Sequence, residues 1–124
     1  MIRLDYRDSR PVYEQIADKL EMLAMCGALE PEEQLPSVRQ LATELSINPN
    51  TVQKAYGELL SRGVIYSVKG RGNFISDSVE ELRERKLTDI RKQIELLLKQ
   101  ARELGMTDKE LRHMLRSLSG GEEQ

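Results

Sequence analysis

Asn50, Gln53 and Lys54 bring two amides and an ammonium within about one helical turn of each other. An Asn or Gln amide offers a donor and an acceptor side by side, the pattern that pairs with an adenine edge in the major groove of a duplex. A lysine ammonium suits a phosphate or a guanine edge. Gly57, one turn further on, removes bulk where a backbone would approach nucleic acid. Downstream, Lys69-Gly70-Arg71-Gly72 sets two cations around a glycine. No Lys-Ser/Thr follows, so this is not a phosphate-cradling nucleotide loop. Taken alone it also fits an ordinary solvated hairpin turn.

Other chemistries find little support. Cys26 and His113 are the only residues of their types and lie far apart, so no zinc-ligand spacing exists. No Ser/His/Asp grouping or paired-carboxylate pattern stands out, so no enzyme activity, metal or cofactor is expected. One cysteine cannot form an internal disulfide. The opening MIRLDYRDSRP lacks the apolar stretch of a signal peptide, and no run approaches a membrane span, so a cytoplasmic location is expected. Cys26 is expected as a small buried filler near a helix end, and Met22, Met25, Met106 and Met114 as core. His113 is read as a surface or seam residue.

The elements that would position the amides follow from periodicity. Val12, Ile16, Leu20 and Leu23 mark one face of a first helix, ended by Gly27. Residues 28–36, with Pro31 and Pro36, read as a loop. Val38, Leu41, Ala42 and Leu45 give a short second helix, and Ser46-Ile47 a tight turn. Asn48-Pro49 is a helix cap followed by proline at the first helical position. Val52, Ala55, Tyr56 and Leu59 then form the buried stripe of a third helix, so Asn50, Gln53, Lys54 and Gly57 face outward. The free N–H groups at its start favour phosphate. Two β-prone runs, 64–67 and 73–76, flank the basic turn at 68–72 as a hairpin.

This order of helices and hairpin is the winged helix-turn-helix layout. The 124 residues leave room for one such domain and an appendage. Net charge is only −2, so no global basic field announces a nucleic-acid partner. Residues 36–76, however, carry five cations against two carboxylates, a local +3 that leaves −5 elsewhere.

After residue 77 the composition changes. Leu87, Ile90, Ile94, Leu97, Ala101 and Leu104 alternate steps of three and four, an a/d seam. A capping box at Thr107-x-x-Glu110 opens a last helix with Leu111, Met114, Leu115 and Leu118 on one face. The expectation is a mostly α chain with a small β-hairpin. Residues 1–77 form the winged DNA-binding domain, 78–118 a two-helix dimerisation arm, and 119–124 a flexible tail. The seam also has a purely intramolecular reading, as the packing face for residues 107–118.

Residues 35–75, together with PVYEQI at 11–16, closely resemble the DNA-binding domain of the GntR family of bacterial repressors. The INPNTV run and the short helical C-terminal part resemble its YtrA branch. That branch lacks a large effector domain and dimerises through C-terminal helices. The resemblance matches Arg39 to a DNA-contacting arginine of the second helix. It sets Asn48, Pro49, Asn50, Thr51 and Gln53 at the recognition-helix start, and Gly70 at the wing tip. Ser37, Lys54, Lys69 and Arg71 complete the expected DNA-binding set. Many relatives carry Arg where Pro49 and Gln53 stand, and Thr where Asn73 stands, so base preference does not transfer. The resemblance implies a homodimeric repressor on an inverted-repeat operator, near transporter genes. Two alternatives accompany it: a small-molecule effector between the arm helices, and a winged-helix module that docks proteins rather than DNA.

Overall fold

Asn48 and Pro49 start the third helix as their chemistry requires. The Asn48 side-chain oxygen accepts from the Asn50 amide at 2.8 Å, and Pro49 occupies the first helical position, where its missing N–H costs nothing. The second helix begins on a full capping box. Ser37 Oγ accepts from the Gln40 amide at 3.1 Å, and Gln40 Oε1 accepts from the Ser37 amide at 2.8 Å. Ser46 adopts the left-handed conformation that closes this helix and turns the chain into the next.

The computed structural model describes residues 2–120. In chain order the elements are α1 (Val12–Met25), α2 (Val38–Leu45), α3 (Pro49–Arg62), β1 (Ile65–Val68), β2 (Gly72–Ile75), α4 (Val79–Glu103) and α5 (Asp108–Leu118). They divide into two compact units between Glu84 and Arg85. Residues 121–124 of the expected tail lie outside the described residues.

In the first unit α1 and α2 both pack on α3. The core is aliphatic apart from Tyr56. Ile16, Leu20, Leu41, Val52, Ala55, Leu59, Val64 and Ile75 are essentially sealed from solvent. The whole predicted stripe of α3 is buried. Val79 is buried too, and Leu82 packs against the same core, so the first turn of α4 belongs with the winged unit.

The hairpin is antiparallel, with Ile65 opposite Ile75 and Val68 opposite Gly72. Each four-residue strand sits one position nearer the turn than the sequence indicated, leaving a three-residue tip, Lys69–Arg71. Gly70 sits there at φ 78°. Residues 32–35, expected as loop, instead run along the free edge of β2. The Glu32 amide donates to the Ile75 carbonyl at 2.8 Å, Ile75 to Glu33 at 2.9 Å, and Leu35 to Asn73 at 2.9 Å. The Tyr66 hydroxyl reaches back to the Glu32 carboxylate, and its ring stacks on Phe74 with centroids 5.7 Å apart.

Four core expectations fail. Cys26 is exposed at the end of α1, with its thiol near the Leu23 carbonyl, because the stripe Ile16, Leu20, Ala24 turns it outward. Met22 is likewise half exposed, on the outer face of α1. Met106 and Met114 are exposed too, because they line the open groove between the last two helices rather than a closed core.

In the second unit Thr107 caps α5 through its predicted box, with Glu110. An apolar groove of about 420 Å³ between α4 and α5 is lined by Ile94, Leu97, Leu98, Ala101, Met106, Leu111, Met114 and Leu115. The seam stays uncovered beside this groove. Leu97 stays 62% exposed, Leu115 61% and Leu104 90%. His113 is exposed.

Candidate nucleic-acid interface

Burying Val52, Ala55, Tyr56 and Leu59 leaves one ridge of α3 in solvent. Asn50, Gln53, Lys54 and Gly57 are all exposed on it. Tyr56 fixes the ridge from beneath. Its hydroxyl donates to the Pro36 carbonyl at 2.7 Å, joining α3 to the residue before the α2 cap. Burial, with a smaller push from Glu44, raises the phenol well above its ordinary range.

Each expected contact residue now has a position. Arg39 is exposed in the first turn of α2, and Thr51 is half-buried beside the start of α3. Ser37 and Asn48 are exposed, but their acceptor oxygens are engaged in capping. Lys69, Gly70 and Arg71 form the exposed hairpin tip. Gln34 braces that tip, with Nε2 donating to the Arg71 carbonyl at 2.7 Å. Gly72 lies at φ 123°, and a Cβ there would come within 2.8 Å of the same Gln34 nitrogen. Between tip and helix, Gln34, Ser37, Gln40, Arg71 and Asn73 line a polar groove of about 510 Å³.

Charge is distributed less simply than the local +3 suggested. Arg62 faces α1, not the ridge. Its guanidinium pairs with Glu21 at 2.6 Å, Asp18 at 2.9 Å and Glu58 at 3.0 Å. Burial opposes its charge, yet the hydrogen bonds to Glu21, Asp18 and Glu58 outweigh burial and raise its pKa. Asp18 also binds Arg10 at 2.5 Å. Arg62 is therefore a clamp between α1 and α3. None of the ion pairs among the described residues includes Arg39, Lys54, Lys69 or Arg71. Lys54 instead sits over the Tyr13 ring, 4.3 Å from its centre. Sequence reasoning missed Tyr13 and Gln34; only their distance in sequence from the sites they touch hid them.

A capped helix with an exposed amide-rich ridge, a helix packed across it and a basic hairpin beside it define a winged helix-turn-helix protein. Residues 12–75 match the family described as "Bacterial regulatory proteins, gntR family". The chain belongs to that family and is a DNA-binding transcriptional regulator. It is 41% identical to the HTH-type transcriptional repressor YtrA of Bacillus subtilis (strain 168), over 96% of this chain and 92% of that protein. The crystal structure of a transcriptional regulator from Oenococcus oeni is similar with a TM-score of 0.71 at 27% identity, covering 95% of this chain and 98% of that one. AraR(DBD) in complex with operator ORE1 is similar over 61% of this chain and 93% of that one, with a TM-score of 0.53 and 28% identity. Among the described residues no helix is long and apolar enough to cross a membrane.

Proposed function

We propose that this regulator is a homodimeric repressor that acts in the cytoplasm on an inverted-repeat operator. The winged unit reads DNA and the region beyond Glu84 holds two copies together. Asn50 and Gln53 read base edges from α3 in the major groove. Arg39, Lys54 and the tip residues Lys69, Gly70 and Arg71 meet phosphates or the minor groove. Ser37, Asn48 and Thr51 line the approach to the helix start, where unpaired N–H groups favour phosphate. Two recognition helices related by a two-fold axis demand two matching half-sites. Blocking promoter DNA is then sufficient for repression.

The observation that carries this reading is the exposed Asn50–Gln53 ridge, together with the exposed cations Arg39, Lys54, Lys69 and Arg71, which take part in none of the ion pairs among the described residues. The exposed seam of Ile90, Ile94, Leu97 and Leu104 supports the dimer, since burying such apolar surface is favourable by roughly 25 cal/mol per Å². The test is a gel shift against DNA from upstream of the protein's own gene, with scrambled competitor. Retardation that survives the competitor is expected. Equal loss to specific and scrambled DNA overturns operator reading and favours a protein-docking module.

A further inference from the structure

Tyr13 is the second residue of α1 and half-buried, while Lys54 is exposed on α3. The ammonium of one lies 4.3 Å from the ring centre of the other. We propose that Tyr13 is a positioning residue for Lys54, holding its ammonium at the α1 shoulder of α3 for a backbone phosphate of the bound duplex. The proposal rests on the reading of α3 as the DNA-reading helix.

A lysine stem has four rotatable bonds and sweeps a wide arc when unanchored. Lys54 lies between Asn50 and Gly57 along the exposed ridge, so an unanchored ammonium would cross the surface meant for base edges. The negative face of the Tyr13 ring draws it sideways, toward α1. Base edges form the floor of the major groove and phosphates its walls. A cation held at the helix shoulder meets the wall.

The type of anchor matters. Two turns further along the same α1–α3 side, Arg62 is held by Asp18, Glu21 and Glu58, and its charge is cancelled. An aromatic ring holds an ammonium without neutralising it. Lys54 is thus ordered and still carries its full charge toward DNA.

The test uses the full chain and a short random-sequence duplex, because a phosphate contact is independent of sequence. Affinity is measured across a salt series for Tyr13→Leu, Tyr13→Phe, Lys54→Ala and the Tyr13→Leu/Lys54→Ala pair. Tyr13→Leu is expected to weaken binding about two- to fivefold per recognition helix. Tyr13→Phe keeps the ring face and binds like the parent. Once Lys54 is alanine, Tyr13→Leu costs nothing further. Lys54→Ala lowers the salt slope by about 1 per helix. Full additivity of the two substitutions overturns the proposal, as does a Tyr13→Phe variant as weak as Tyr13→Leu. A Lys54→Ala variant that binds normally while Arg39→Ala is weakened overturns the proposal and leaves the DNA-reading helix standing. If neither variant weakens binding, the reading of the whole face fails with it. Tyr13 also packs against the core, so a second measurement needs no variant. Proton NMR of the unaltered chain should show the Lys54 ε-methylene shifted upfield by the ring, and an ordinary shift overturns the contact.

Discussion

The hydroxyl of Tyr56 donates to the carbonyl oxygen of Pro36 at 2.7 Å, so one part-buried hydrogen bond sets the recognition helix against the entry to the helix before it. Tyr56 is also the largest fully buried side chain. The bond therefore lies where both helices meet the core.

Tyr56 should make stability fall in alkali. Its ordinary pKa is 10.0, and burial followed by Glu44 raises it in the folded state. Above pH 10.0 the unfolded chain loses a proton that the folded chain keeps, so folding weakens as pH rises; below it the contribution is complete. Tyr56→Phe removes that part of the slope and costs about 1 kcal/mol at neutral pH through the lost hydrogen bond. Denaturant titrations of both proteins on either side of that pKa measure the difference. Parallel pH profiles would show that the phenol does not titrate with unfolding.

Asn50→Ala and Gln53→Ala should each cost about 1–3 kcal/mol on cognate DNA and little on random DNA. Both side chains are exposed on the ridge, so melting should not change. Binding isotherms on the two DNAs decide it. Equal losses on both would reassign these amides to phosphate.

Arg39→Ala, Lys69→Ala and Arg71→Ala should weaken specific and nonspecific binding alike. Each lost phosphate contact lowers the salt slope by about 1, hence about 2 in a dimer. Affinity across a salt series, with melting as control, reads this directly. Arg62→Ala should behave oppositely, lowering melting by breaking the pairs to Asp18, Glu21 and Glu58. Unchanged slopes for all three surface cations would move the DNA surface elsewhere.

Gly57→Ala should stabilise the fold and weaken DNA binding. A Cβ there meets nothing within 4 Å and the backbone is helical. Alanine in a helix interior is favoured over glycine by about 0.5–1 kcal/mol. The same methyl stands on the ridge that faces the groove in the proposed complex. A raised melting temperature with unchanged affinity would show that the backbone does not approach DNA closely there.

The full chain should scatter light as twice 14.2 kDa. A chain ending after Glu84 should remain folded but monomeric, losing most specific affinity. One ending after Ser76 should also lose stability, because Val79 and Leu82 belong to the winged core. A full-length monomer at micromolar concentration would contradict the dimer.

Local chemistry made much of the fold readable. Asn48-Pro49 named its helix start, and the four stripe residues of α3 oriented the ridge. What escaped the sequence depended on distance. Glu32, Glu33 and Gln34 show no alternation of apolar and polar residues, and their strand-like pairing is imposed by the free edge of β2. Arg62 counted toward a basic segment, yet its partners Asp18 and Glu21 lie more than 40 positions away. Cys26 looked like core because small apolar residues usually are; its phase on α1 put it outside. The site residues showed their types but not their neighbours, so the Tyr13 ring beneath Lys54 could not be read.

The pairing of residues 32–35 with β2 has a consequence for recognition kinetics. A two-stranded hairpin alone is marginal in water. This one is gripped along β2 from both sides, and its tip is tied by Gln34. Such a hairpin meets the duplex already in its working shape. Little ordering entropy is then spent on it at encounter, and the paired amides of β2, such as that of Ile75 bonded to Glu33, should exchange with solvent as one cooperative block, not as a fraying edge.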